Sequence, residues 1–206
     1  MKSSDQKIYL ASQSPRRREL LRQIGVDFEL LLMRDHVPRG PEVDESVLPG
    51  ETPEVYVARV TTAKALCAQG IKKLRKLPQR LILSADTTVT IDGLILGKPA
   101  DPAEAAAMMT LLSGRTHQVM TCVCVVDGEQ RWQTMQVSSV TFNTLSIDMI
   151  NAYCASSEPY DKAGGYGIQG MAALFIRDIS GSYSGIMGLP LFETAQLLKQ
   201  AGYRIL

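Results

Sequence analysis

Apolar positions along this chain fall into short unbroken runs and into three-to-four-residue spacings, divided by Pro, Gly and Asp turn residues. Lys7 to Ala11 reads as a strand. Ser14 can then cap a helix with Pro15 at its first position and Gly25 just past its end, and Leu20, Leu21 and Ile24 supply the inward stripe. Residues 33–51, rich in Pro, Gly and charge, read as a long loop. Thr52-Pro53-Glu54 opens a second helix running to about Gly70. Leu81 to Ala85 suits a buried strand, and Thr88 to Leu96 a hairpin turning on Asp92-Gly93. Asp101 and Glu104 stand at capping-box spacing before a helix that Gly114 ends. Val119 to Val126 and Gln133 to Leu145 read as strands joined through Asp127-Gly128. Ser146 caps a helix to about Ser156, Leu174 to Ile179 is a strand, and Pro190 to Ala201 is the last helix. Helices and strands interleave, and the hairpins require antiparallel pairs. The expected class is therefore α/β, a mixed central sheet flanked by helices.

Composition changes this picture little. The 206 residues are 45% hydrophobic and 21% charged, enough for a substantial core. That length suits a single domain over residues 1–206, either one body or two lobes with a site in the cleft between them. Lys+Arg 22 against Asp+Glu 21 leaves a net charge of +1, without the basic excess of a nucleic-acid-binding protein. Apolar stretches fall short of a membrane span, and MKSSDQKIYL lacks the apolar region of a secretory signal. Cys67, Cys122, Cys124 and Cys154 follow no zinc or thioredoxin spacing, and their apolar neighbours favour buried, reduced thiols, as in a cytoplasmic protein.

Candidate chemistry begins at Ser12-Gln13-Ser14-Pro15-Arg16-Arg17-Arg18. Three arginines crowd the first turn of a helix, where the macrodipole is already positive; each should cost about 0.3–1 kcal/mol unless an anion binds there. A solvated basic turn is the plain alternative, and Arg18 is the one of the three best placed to be mere surface. Lys64 falls at helical spacing on the side of Val57, Val60 and Thr61, so it needs an anionic partner, such as a phosphate, or must snorkel past the core edge. Asp86 follows the apolar Leu81–Ala85 run, where ligands of α/β proteins gather. It can hold a metal, act as a general base, or serve as a turn residue. Lys98-Pro99 can return a cation to the same place, whereas Glu45 lies in an acidic loop of the kind that is ordinarily solvated. Seven of the 16 glycines fall between 164 and 188, a density that lets backbone approach a ligand or simply turn tightly. Within it Gln169 offers a donor and an acceptor suited to the amide edge of a base. His36 and His117 are isolated and read as satisfied structural histidines. No Walker A pattern or complete GxGxxG turn is present.

LASQSPRRRELL, SADTTVTIDGLILGKPADPAEAAAMM, LSGRTHQVMT, DKAGGYGIQG and GSYSGIMGLPL closely resemble, in order and across nearly the whole chain, the signature segments of the Maf family. The resemblance implies a fold similar to the inosine triphosphate pyrophosphatases and a homodimer. It also implies cleavage of nucleoside triphosphates between the α and β phosphates with a divalent cation, Mg2+, Mn2+ or Co2+. It makes Asp86 the proton acceptor, Lys64 and Lys98 catalytic lysines, and Glu45, with Asp86, the metal-associated acids. Ser12, Arg16 and Arg17 match the phosphate-binding segment; Arg16, Thr87 and Gln169 fall where the family sets base choice. ADT with IQG looks like the branch acting on dTTP and UTP. The branch favouring 7-methyl-GTP has glutamine after the Asp and glutamate in place of Gln169. Residues 33–42 lengthen the loop before Glu45 relative to that pattern.

Two rival functions follow from the same residues. One keeps the site but changes the base to that of 7-methyl-GTP or a modified pyrimidine. The other is a nucleotide-binding regulator of septum formation, for which no exposed apolar stripe or charged tail supplies an obvious partner surface.

Overall fold

The computed structural model describes residues 7–32 and 43–205, so His36 and the lengthened loop at 33–42 lie outside the described residues. Its sheet has seven strands among those residues. β1 (Ile8–Leu10) pairs in parallel with β2 (Phe28–Leu30) on one side and with Ile82 and Leu83 of β3 (Ile82–Ile91) on the other. β4 (Leu94–Leu96), β5 (Thr116–Asp127), β6 (Gln130–Phe142) and β7 (Ile176–Ser180) join antiparallel, giving the order β2-β1-β3-β5-β6-β7 with β4 beside β3. The sheet is mixed, as the hairpins required.

Local rules placed most helix starts. Ser14, Thr52, Asp101 and Ser146 each accept a hydrogen bond from the backbone N–H three residues on, opening α1 (Pro15–Gln23), α2 (Pro53–Leu74), α3 (Pro102–Leu112) and α4 (Ile147–Cys154). Asp92 and Gly93 both take positive φ, 52° and 78°, the backbone of a type I′ hairpin turn. A short α5 (Tyr183–Ile186) and the last helix, α6 (Leu191–Gln200), complete the chain.

Five expectations are corrected. α2 runs through Gly70 to Leu74, because Ala68 and Ile71 continue its buried face. β2 has no counterpart in the sequence reading, since its three residues are only half-buried or exposed and show no apolar run. β6 ends at Phe142 rather than Leu145, and Leu174 closes a 3-10 turn over Met171–Leu174 before β7 begins. The fifth correction matters most for function. The run at 81–85 and the first arm of the hairpin are one strand, β3, and Asp86 lies in its middle, paired with Cys122 of β5.

Alternation along the strands divides the core. Ile8, Leu10, Leu83, Ala85, Val123 and Val125 pack with α1 and α6, whereas Tyr9, Ile82, Cys124 and Val126 face α2. Farther along the same strands, Val89, Ile91, Val119, Val140 and Phe142 pack beneath α3 and α4. Asp86 falls on β3 between the residues of these clusters. All four cysteines are buried free thiols, as expected. Among the described residues no helix is long and apolar enough to cross a membrane.

Candidate active site

β1 is the point where the sheet changes direction: the chain leaves it through α1 to β2 on one side and returns through α2 to β3 on the other. Such a switch point opens a crevice beyond the carboxyl ends of parallel strands. β1 accompanies β3 only as far as Leu83, so Asp86 lies past the last parallel pair although it remains inside β3. The carboxylate therefore reaches the crevice from mid-strand, through loss of its neighbour rather than through the end of its own strand.

A cavity of about 700 Å3 opens there, and Ser12, Arg16, Arg17, Glu45, Lys64, Asp86, Thr87, Lys98 and Gln169 all line it. Every candidate residue read from the sequence is thus brought to one place. Arg18, the arginine read as surface, does not line it and donates instead to the Gln13 carbonyl at 3.5 Å.

At the acidic end Lys64 projects from α2, with only 13% of its side chain exposed. Its Nζ stands 2.7 Å from Asp86 Oδ1 and 2.9 Å from Glu45 Oε1. Among the described residues the anionic partner that Lys64 requires is a pair of carboxylates. Among the described residues no third acid, histidine or cysteine joins them in a metal-binding group.

The loop between β1 and α1 arranges the arginines. Ser12 Oγ accepts from Ser14 N (3.2 Å) and from Arg17 Nη1 (3.3 Å). Arg17 also donates through Nε to the Gly188 carbonyl (2.7 Å) and through Nη2 to Thr87 Oγ1 (3.2 Å). Burial pushes the Arg17 pKa down, while the nearby Asp86 carboxylate opposes that shift. Thr87 Oγ1 further meets Thr121 Oγ1 at 2.9 Å, and Thr121 donates to the Gly185 carbonyl at 2.8 Å. Arg16 reaches the opposite wall, 3.4 Å from Asp161 Oδ2. Lys98 and Gln169 are exposed at the cavity and make no side-chain hydrogen bond among the described residues.

Only part of the glycine density serves the cavity. Gly167 and Gly188 line it, but Gly164 and Gly170 are required by packing. A β-carbon on Gly164 would stand 2.9 Å from Val89, and one on Gly170 would collide with the Glu158 carboxylate. His117 is only partly satisfied: Nε2 meets Tyr166 Oη at 2.7 Å while Nδ1 is buried with no hydrogen-bond partner among the described residues. Burial lowers its pKa to about 4.

The sequence reading gave no role to Tyr56, Arg59, Thr121 or Asp161, yet Tyr56, Thr121 and Asp161 each touch a candidate residue or its backbone, and Arg59 holds the carbonyls of Asp44 and Ser46 on either side of Glu45. Tyr56 and Arg59 carried one usable signal, a helical spacing that places both upstream of Lys64 on α2. Thr121 carried none, being one polar residue in an apolar strand.

The Maf-like protein model matches residues 7–201. The chain is 53% identical over 204 residues to a dTTP/UTP pyrophosphatase of Aromatoleum aromaticum, covering 98% of this chain and 99% of that one. It is 56% identical over 195 residues to a dTTP/UTP pyrophosphatase of Ralstonia nicotianae, covering 94% and 93%. Among solved structures, the Staphylococcus aureus Ham1 protein is similar with a TM-score of 0.41 and 15% identity, over 66% of this chain and 71% of that one.

Proposed function

The chain belongs to the Maf-like protein family, and from this premise we propose that its cleft hydrolyses dTTP and UTP to the nucleoside monophosphate and pyrophosphate. The observation that carries the reading is the convergence of nine phosphate-, acid- and base-associated side chains on one cavity, with Lys64 between Asp86 and Glu45. Thr87 and Gln169 agree with the dTTP/UTP branch rather than the 7-methyl-GTP branch, and the relatives bear that name.

In this mechanism Arg16, Arg17 and Lys98 bind the triphosphate, the arginines by guanidinium forks matched to phosphate oxygens. Lys64 exchanges a carboxylate partner for a phosphate oxygen and stabilises charge on the departing pyrophosphate. Asp86 accepts a proton from the water whose oxygen bonds to the α-phosphorus, as the bond from that phosphorus to the bridging oxygen breaks. Glu45 and Asp86 fit a divalent cation, because their carboxylates already converge on one positive charge. Two protein carboxylates are also what Mg2+ takes when phosphates and water complete its shell. Mg2+, Mn2+ or Co2+ bound there supplies charge neutralisation and polarises an oxygen ligand. Thr87, tied to Arg17 and Thr121, stands with Arg16 and Gln169 at the positions that the family resemblance gives to base choice, and Gln169 is free to meet the base. The same reading takes the chain as one domain whose two lobes meet at the cleft, working as a homodimer.

Purified protein incubated with UTP or dTTP and Mg2+ or Mn2+ should release UMP or dTMP and pyrophosphate in equal amounts. Orthophosphate as the first product would overturn the proposed bond specificity.

A further inference from the structure

Residues 43–51 form neither helix nor strand, yet they deliver Glu45 to Lys64. A segment without a ladder must satisfy its backbone elsewhere, and α2 supplies the partners. Arg59 Nη1 donates to the Asp44 carbonyl at 3.0 Å and Nη2 to the Ser46 carbonyl at 2.8 Å. The Tyr56 hydroxyl donates to the carbonyl between them, that of Glu45 itself, at 3.0 Å. Three consecutive carbonyls are therefore held by two side chains about one turn apart on the helix that carries Lys64. The Arg59 fork is anchored in turn by Glu51, whose oxygens accept from Nε at 2.6 Å and Nη2 at 2.8 Å. Glu51 is only 4% exposed and also accepts from Leu48 N at 3.1 Å, closing the loop on itself.

We propose that Tyr56 and Arg59 are positioning residues for Glu45, with Glu51 as the anchor of the Arg59 fork, so that one helix sets both the lysine and the distal acid of the site. The proposal rests on the reading of Glu45 as an acid of that site. It requires arginine specifically. A lysine keeps the charge but cannot hold two carbonyls and a carboxylate in one plane. Groups that orient the residues of a site in this way are commonly worth about 10- to 100-fold in activity.

The test uses the full chain carrying Tyr56→Phe, Arg59→Lys or both, with and without Glu45→Gln. Tyr56→Phe removes one hydroxyl, so it remains informative should Arg59→Lys lower the Tm. Amide hydrogen exchange over residues 44–51 should quicken by about tenfold or more in the double variant while α2 stays protected. Its kcat/KM for UTP should fall about 10- to 100-fold. In the Glu45→Gln background the same two changes should cost almost nothing further, the non-additivity expected of residues acting through one another. Unchanged exchange in the loop, or full additivity with Glu45→Gln, overturns the positioning role while leaving the proposed hydrolysis in place. A wild-type protein inert toward UTP and dTTP overturns the hydrolysis instead, and the exchange measurement then decides the positioning role by itself.

Discussion

The wall of the cleft built from β3 and α2 presents ionised side chains in direct contact, Lys64 with Asp86 and Glu45 at 2.7 and 2.9 Å. The wall built from residues 161–170 sets a single carboxylate, Asp161, beside Arg16 and Lys162, and is otherwise shaped by glycines that pack against Val89 and Glu158, with Tyr166, Ile168 and Gln169 lining the cavity. Under the proposed function the contrast follows from what each wall would recognise. A triphosphate is a concentrated charge that demands fixed counter-charges, whereas a pyrimidine ring demands a slot of the right width and a few oriented amide contacts. The first wall should therefore fail in turnover when altered, and the second in stability or base choice.

Asp86→Asn tests this division most severely. It should lower kcat for UTP by about 10²- to 10⁴-fold, the usual contribution of a positioned proton acceptor, with an unchanged circular dichroism spectrum. A correctly folded variant of normal kcat would remove Asp86 from the mechanism and erase the contrast.

The second test concerns acid. His117 packs against Tyr166 of the glycine-rich wall, and burial holds its pKa at about 4 against an ordinary 6.5. A lowered folded-state pKa means that the stabilising preference for neutral histidine is fully present above pH 6.5 and is lost as pH falls toward 4. The shift corresponds to about 3 kcal/mol across that window. Urea unfolding of wild type at pH 7 and at pH 4 should show this loss, and His117→Gln should show correspondingly less pH dependence. Equal slopes for the two proteins would mean that other groups govern the acid response.

Gln169→Glu sharpens the comparison on the base side. The change removes the amide donor and adds a negative charge facing a carbonyl oxygen of the ring, so kcat/KM for UTP and dTTP should fall roughly ten- to a hundredfold. GTP and 7-methyl-GTP, which present N–H donors, should lose less. An equal loss on all four would make Gln169 a support of the loop or the phosphates rather than a reader of the base.

The smallest effect is expected at Glu158, which accepts from Met171 N at 2.7 Å, Ala172 N at 3.2 Å and the Tyr153 hydroxyl at 3.2 Å. Glu158→Gln keeps the shape but turns one acceptor oxygen into an NH2 donor, leaving Met171 N or Ala172 N without its acceptor, and should cost about 1–3 kcal/mol of unfolding free energy with little change in kcat for UTP. A large kcat defect without a stability loss would mean that this wall also takes part in the chemistry.

The amino-acid sequence by itself determined the α/β class, the four capped helix starts and the Asp92-Gly93 hairpin. All depend on groups within a few residues of one another: a side-chain oxygen meeting an N–H three positions on, or a backbone that tolerates positive φ. It also marked Arg16, Arg17 and Lys64, because arginines at a helix start or a lysine on a buried stripe are locally unfavourable without a ligand or partner, whereas Glu45 and Thr87 were singled out by the resemblance to the Maf family. Tertiary structure alone decided that Asp86 works from mid-strand, since that depends on where β1 stops beside it. It decided too that Lys64 meets two carboxylates, that Arg17 is locked to Gly188, and that Tyr56 and Arg59 carry the loop of Glu45. Each of these contacts joins residues on different elements, and no propensity or period within a short window encodes them. They exist only once the sheet and its helices have buried their apolar faces and brought those elements together.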